Sequence, residues 1–142
     1  MKTLESKFVQ AILVVLQFLS AGALVLTASW SLLNPWSLAA ILLGAALGLW
    51  AWGTMGLKRI SVMPETNERT VLVTAGPYRW LRHPMYVAVV VFCGGLLWLP
   101  FTWWKLLLWL LLVGVVTMKA KLEERFLTRR FDDYAKYKQQ AW

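Results

Sequence analysis

The residues best suited to chemistry in this sequence form two small charged blocks, one basic and one acidic. The basic block contains Arg82 and His83, with Arg79 just before them, and the acidic block is the pair Glu123 and Glu124. A ligand with both a carboxylate and an ammonium group needs a cation at one end and an anion at the other. Nearby aromatic side chains can hold a flat ring or a sulfonium by stacking and cation–π attraction; they are Tyr78, Trp80 and Tyr86. The blocks predict a site for a zwitterion if the fold brings them together.

Two apolar segments separate the blocks and must position them. Both are predicted to be helices, near residues 84–99 and 102–118, with a Pro-Phe turn between them. Because the turn lies about midway between the blocks, the two helices return to the same level, with axes ~8 to 10 Å apart. This hairpin is expected to bring Arg82 and His83 opposite Lys119 and the two glutamates.

The composition indicates that most of the chain is surrounded by lipid. The sequence is 59% hydrophobic and 15% charged, whereas a soluble domain is about 25% charged. Two further apolar segments, near residues 8–30 and 36–57, are long enough for membrane helices. An export signal is the alternative for the first, but its apolar stretch is too long and lacks a small-residue cleavage site. We predict one all-α domain over residues 1–142, a bundle of four transmembrane helices.

The net charge of +8 is compatible with nucleic acid or with anionic lipid as a partner. The basic residues lie between or beyond the apolar segments, and all except Lys105 fall on the side of the two termini. This placement predicts membrane lipids as partners and no nucleic acid. The positive-inside rule then predicts a multi-pass protein with both termini in the cytoplasm.

Three other features complete the predicted organisation. A cytoplasmic loop over residues 58–83 contains a β-prone stretch at 70–74. Residues 119–142 have the apolar spacing of an amphipathic helix, which either lies on the bilayer or closes over the bundle. Gly44 and Gly48 form a small-xxx-small pair that permits close helix contact, including contact with a second copy of the chain.

Several kinds of catalysis are disfavoured by what the sequence lacks. The chain has one histidine, His83, and one cysteine, Cys93, which lies inside an apolar segment. It has no Gly-rich phosphate loop, no histidine pair spaced for zinc and no nucleophile elbow. Metal catalysis and covalent catalysis are therefore not expected.

The segment from Leu72 to Tyr86, which contains Gly76-Pro77-Tyr78 and Arg82-His83-Pro84, is followed 36 residues later by Glu123-Glu124. This pair of blocks strongly resembles the isoprenylcysteine carboxyl methyltransferases, integral membrane enzymes whose wider group includes phospholipid N-methyltransferases. The resemblance implies methyl transfer from S-adenosylmethionine, bound at the cytoplasmic face, to a lipophilic acceptor that enters from the bilayer.

The resemblance also implies roles for individual residues. Glu123 would take the amino group of the cofactor, and Lys119 matches a family arginine that contacts the substrate. The full set of implied cofactor-binding residues is Thr70, Val71, Leu72, Val73, Tyr78, His83, Pro84, Met85, Tyr86 and Glu123. For an anionic acceptor, Lys119 and Arg82 would orient the anion, whereas for an amine acceptor Glu124 is the candidate proton acceptor.

The sequence departs from the family pattern at three points. Ala88 stands where the family has glycine, and Lys119 lacks the bidentate fork of arginine. The glycine that usually precedes the acidic pair at Asp132 is missing, which predicts a tail helix that continues where relatives bend. Two alternatives to a methyltransferase stay open: an NADPH-dependent membrane reductase of the sterol-reductase type, and a non-catalytic lipid-binding protein.

Overall fold

The structure, a computed structural model, describes residues 2–56 and 72–142, with side chains from residue 7 onward. Its regular elements are five α-helices and two short 3₁₀ turns, and the described residues contain no strand. The helices are α1 (Lys2–Leu26), α2 (Pro35–Met55), α3 (Pro84–Leu96), α4 (Trp103–Arg130) and α5 (Tyr134–Gln140), and the turns are Trp30–Leu32 and Gly76–Arg79. The predicted all-α class is confirmed. Residues 72–74 of the β-prone stretch are irregular, and residues 70 and 71 lie outside the described part.

Two helices in the described ranges are long and apolar enough to cross a membrane, namely Lys7–Leu26 and Pro35–Met55. α1 ends four residues earlier than predicted, because the chain turns there into the first 3₁₀ turn. α2 begins with Pro35 at its first position, where a missing N–H costs nothing, and the Asn34 side chain caps it by accepting from the Ser37 N–H at 2.9 Å. The third apolar helix, α3, is shorter, with 13 residues. Two of the four predicted spans thus meet the criteria for a crossing.

The fourth helix is longer than predicted. α4 runs unbroken from Trp103 to Arg130 and so carries both an apolar half and a charged half. It ends at Phe131, whose backbone is extended, and the Tyr134 N–H donates to the Phe131 carbonyl at 3.1 Å to close the turn. The prediction of a tail helix that continues through this point is wrong. The bend needs no glycine here, because none of the turn residues adopts a positive φ. The turn also allows the Tyr134 side chain to be buried.

The contact between α2 and α3 depends on glycine. A Cβ at Gly44 would lie 2.6 Å from the Phe92 nitrogen and 2.8 Å from the Ala88 oxygen, so only glycine fits there. A Cβ at Gly48 would lie at an ordinary 3.5 Å from the Ala88 side chain. The predicted close helix contact is therefore confirmed as a contact within the chain. Gly44 of α2 thus allows the backbones of the two helices to approach each other closely beside Ala88.

A buried lysine joins the end of α1, the end of α3 and the start of α4. Lys105, near the start of α4, is 1% exposed, and its ammonium donates to the carbonyls of Thr27 and Leu99 at 2.9 Å each. Toward the other end, Gln17 of α1 meets Lys119 of α4. These two contacts show that α1 and α4 run antiparallel, with the charged half of α4 beside the start of α1.

The C-terminal segment closes over the end of the α3–α4 hairpin. Tyr134, Tyr137 and Ala141 form a small core against Leu72, Leu127 and Phe131. The Arg82 N–H donates to the Trp142 carbonyl at 2.7 Å, and the Trp142 N–H donates to the Trp80 carbonyl at 2.8 Å. Of the two predicted placements of the tail, the structure has the one that covers the bundle.

Candidate functional site

The loop before α3 is held against α2 by a glycine turn. Gly76 has a φ of 58°, a conformation that favours glycine, and a Cβ there would lie 2.5 Å from Thr54 Oγ1. The following 3₁₀ turn buries Tyr78, whose hydroxyl donates to Met55 Sδ at 3.9 Å. This turn fixes the direction in which the chain enters the Arg-His-Pro corner.

Glu124 is the most heavily partnered carboxylate of the site. Arg82 Nη1 donates to its Oε1 at 2.7 Å, His83 Nε2 lies 3.3 Å from the same oxygen, and Lys138 Nζ lies 3.0 Å from Oε2. Burial alone would raise the pKa of Glu124, but the Lys138 hydrogen bond and the Arg82 charge outweigh it, so its pKa is lowered. Glu124 thus ties together the start of α3, the charged half of α4 and α5.

Glu123 has a more open environment. Its Oε2 accepts from the Tyr86 hydroxyl at 3.1 Å and lies 3.6 Å from His83 Nδ1. The side chain is 31% exposed, and its Oε1 accepts no hydrogen bond from the described part of the chain. The His83 and Tyr86 rings stack beside it, with centroids 5.4 Å apart. A carboxylate with one spare oxygen next to a pair of flat rings is suited to an ammonium group.

Lys119 lies on the inner face of α4, one turn before the glutamates. It is 2% exposed, donates to Gln17 Oε1 at 2.6 Å and stands 5.4 Å above the Tyr86 ring. The sequence placed Lys119 in one cluster with Arg82 and His83; in the structure, Tyr86 lies between Lys119 and that cluster. The hairpin therefore has one buried cation, Lys119, that faces α1. A separate ion-pair cluster around Glu124 lies against α5.

Two buried tyrosines frame the site from the loop and the tail. Burial raises the pKa of Tyr78, and the charge of Glu123 raises it further. Burial also raises the pKa of Tyr134, with a contribution from Glu124. The Tyr137 hydroxyl donates to the Tyr78 carbonyl, so the tail fixes the backbone of the 3₁₀ turn. Both phenols with raised pKa stay protonated. The Tyr78 hydroxyl donates to Met55 Sδ, whereas the Tyr134 hydroxyl has no partner among the described residues.

The remaining predicted site residues are distributed as follows. Pro84 is buried at the first position of α3, and Met85 beside it is half-buried. Leu72 packs on the tail core, and Val73 is half-buried. Thr70 and Val71 lie outside the described residues. The structure thus brings Arg82, His83, Tyr86, Glu123 and Glu124 together.

Sequence reasoning missed two partners of the site. Lys138 binds Glu124 from α5, and no pattern in the sequence marks it among the basic residues of the tail. Gln17 binds Lys119, and its signal was visible, since it interrupts an otherwise apolar helix.

An open groove of about 380 Å³ lies on the outer side of Glu124. Four of the six residues that line it are basic, and the full lining is Lys121, Glu124, Arg125, Thr128, Arg129 and Lys138. The charged half of α4 thus carries a basic outer face and an inner face with Lys119 and Glu123.

The fold and the site define an all-helical protein in which a cluster of ion pairs and aromatic rings closes one end of an apolar hairpin. The chain belongs to the phospholipid methyltransferase family, whose sequence model matches residues 33–134. This family is part of the membrane methyltransferase group related to isoprenylcysteine carboxyl methyltransferases, so the resemblance seen in the sequence is confirmed. The match includes α2, α3 and α4 and leaves α1 outside. Comparisons with curated proteins and with solved structures found no match.

Proposed function

We propose that the protein transfers a methyl group from S-adenosylmethionine to a lipophilic acceptor at the cytoplasmic face of a membrane. The observation that carries the proposal is Glu123, a partly exposed carboxylate whose Oε1 is unused among the described residues and which lies beside the stacked His83 and Tyr86 rings. Membership of a methyltransferase family supports the reaction class.

The residues present fit S-adenosylmethionine. Its ammonium group needs an anion, which Glu123 Oε1 offers. Its carboxylate needs a cation. Only one guanidinium N–H of Arg82 is used, on Glu124, and the other guanidinium N–H groups have no partner among the described residues. The face of the His83 ring that is turned away from Tyr86 offers a flat surface for the nucleoside or the sulfonium.

S-adenosylmethionine supplies an electrophilic methyl group on a positively charged sulfur. The protein's task is then to align this group with the acceptor and to exclude water, because holding reactants at near-attack distance supplies much of the acceleration. Tyr86, fixed by its hydrogen bond to Glu123, forms the wall between the cofactor side and Lys119. Lys119 would orient the acceptor on the opposite side of that ring.

Glu124 is better suited to positioning than to proton transfer. A general base needs a pKa near the operating pH, whereas the pKa of Glu124 is lowered and both its oxygens are bound by cations or His83. We therefore assign Glu124 the role of holding Arg82 and His83 in place. This argues against the sequence-based role of Glu124 as proton acceptor for an amine.

The same proposal includes the topology. Four membrane segments, formed by α1, α2, α3 and the apolar half of α4, would form a single domain with both termini in the cytoplasm. The 13 residues of α3 give a helix of roughly 20 Å, so α3 would draw on its flanking residues or thin the bilayer locally. The loop of the basic corner and the charged half of α4 would then lie in the cytoplasm.

Thermal unfolding of the detergent-purified protein with S-adenosylhomocysteine and, separately, with NADPH tests this function. We expect stabilisation by the first ligand only, and incorporation of label into extracted lipid when membranes receive a labelled methyl donor. Stabilisation by NADPH alone would instead indicate a reductase. Folded protein that responds to neither ligand and labels no lipid would contradict the proposal and favour a non-catalytic lipid-binding protein.

A further inference from the structure

The buried face of α1 carries polar side chains in a helix that is otherwise apolar. The buried residues Gln10, Leu13, Ser20 and Leu24 recur at helical spacing, and Gln17 lies on the same face. All of them fall within the candidate membrane span Lys7–Leu26. Polar side chains inside a membrane span are costly, so they contact other polar groups or serve a function.

Gln10 differs from the other polar residues of this face because its amide has no partner in the part of the chain that the structure describes. It is 0% exposed, and neither its Nε2 nor its Oε1 makes a hydrogen bond. By contrast, the Ser20 hydroxyl donates to the Leu16 carbonyl at 2.6 Å, and Gln17 binds Lys119. A buried amide without partners destabilises a fold, and such a group in a native protein needs an explanation.

The position of Gln10 relates it to the site. Gln17 and Gln10 are seven residues apart on one face, which is about 10 Å along the helix. Since α1 and α4 are antiparallel, Gln10 lies beside the part of α4 that follows Glu123 and Glu124. Gln17 binds Lys119, Lys119 lies over the Tyr86 ring, and the Tyr86 hydroxyl donates to Glu123. The buried face of α1 that carries Gln10 thus leads to Lys119, the residue proposed to orient the acceptor.

We propose that Gln10, together with the Gln17–Lys119 pair, binds the polar head of the methyl acceptor, so that α1 sets the acceptor specificity. This inference rests on the proposed function and extends it to a helix that lies outside the family match. The buried Lys119 ammonium favours a head with an anionic oxygen and repels the ammonium of a phospholipid amine. The Gln10 amide adds a donor and an acceptor for a neutral polar group of the same head.

Binding of a model amphiphile tests the proposal on the full-length protein in dodecyl maltoside. The probe is labelled N-dodecanoylglycylglycine, whose head has a carboxylate and two amides, and labelled dodecylamine is the comparison. The variants are Gln10→Leu and the control Ser20→Ala, which removes a self-satisfied hydroxyl from the same face. Gln10→Leu is expected to fold, because it removes an unsatisfied buried group. S-adenosylhomocysteine binding is measured on every protein in parallel.

We expect the wild type to bind the anionic probe more tightly than dodecylamine. Gln10→Leu should bind the anionic probe about tenfold or more weakly, the loss expected when a hydrogen bond to the probe is removed. Ser20→Ala should bind it as the wild type does. Unchanged probe binding by Gln10→Leu with S-adenosylhomocysteine binding intact would overturn the inference alone, as would tighter binding of dodecylamine. A third outcome would separate the two proposals. If the wild type binds the probe, Gln10→Leu does not, and the wild type fails to bind S-adenosylhomocysteine, the proposed function is refuted and the role of Gln10 in binding an amphiphile stands.

Discussion

Replacing Glu124 by glutamine should loosen the corner where α3, α4 and α5 meet. The substitution removes the anion that Arg82, His83 and Lys138 share, at 2.7, 3.3 and 3.0 Å. Hydrogen bonds to charged groups contribute about 1.5 to 3 kcal/mol each. The Lys138 contribution is smaller, because that side chain is 47% exposed and exposed pairs are screened by solvent.

We therefore expect Glu124→Gln to lower the free energy of unfolding by about 2 kcal/mol at pH 7. For a chain of this size, that loss corresponds to a fall in Tm of about 4 to 8 °C. The matched control is Asp133→Asn, since Asp133 is 86% exposed and pairs only loosely with an exposed lysine at 3.7 Å. Thermal unfolding in detergent, followed by tryptophan fluorescence, measures both variants.

The effect should also depend on pH with a defined sign. The pKa of Glu124 is lowered below its ordinary 4.5 in the folded protein, despite a burial that opposes the shift. A lowered carboxyl pKa stabilises the fold above the ordinary value, and this contribution is lost as pH falls through the lowered pKa. The difference between wild type and Glu124→Gln should therefore be full at pH 7 and should shrink below pH 4.5. Equal Tm values at pH 7, or an equal loss in Asp133→Asn, would refute the reasoning.

Three further substitutions, two of them with a matched control variant, test the packing of the bundle and the site by the same unfolding measurement. Gly44→Ala should destabilise the protein by about 1 to 3 kcal/mol, because its methyl group would meet the backbone of α3. The control, Gly48→Ala, should change the stability little. Similar losses in both variants would contradict the close contact at Gly44. Tyr137→Phe should cost about 1 to 2 kcal/mol, since it leaves a buried carbonyl of the 3₁₀ turn unpaired. Its control, Tyr134→Phe, should cost nothing, because that hydroxyl is buried without a partner among the described residues. The reverse order would show that the hydrogen bond is misassigned. Lys105→Met should destabilise by about 1 to 3 kcal/mol, because the Thr27 carbonyl loses its donor and the Leu99 carbonyl keeps only the Ser29 N–H. An unchanged Tm would show that the lysine does not join the helices.

The hairpin was the part of the site that sequence could predict. Two apolar segments of similar length around one turn force their polar ends to the same level, and Arg82, His83, Glu123 and Glu124 do meet there. The all-helical class followed from the apolar composition in the same way. Each of these inferences depends only on helix geometry and on hydrophobic periodicity.

Side-chain pairings and helix ends could not be predicted because they depend on contacts between distant elements. The two glutamates have different environments because Lys138 of α5 binds Glu124 and Tyr86 of α3 binds Glu123. The end of α4 at Phe131 is set by the burial of Tyr134 in the small core with Leu72 and Leu127, so the missing glycine misled the prediction. Gln17 was visible as a polar interruption of an apolar helix, but its partner Lys119 lies 102 residues away along the chain.

The central claim is that Glu123 holds the amino group of a nucleoside cofactor. Calorimetric titration of S-adenosylhomocysteine into the detergent-purified wild type and into Glu123→Gln tests it most directly. We expect the wild type to bind and the variant to bind about 10 to 100 times more weakly, the loss that follows when a charge-assisted hydrogen bond is removed. Equal affinity in the two proteins, each shown to be folded, would contradict the account.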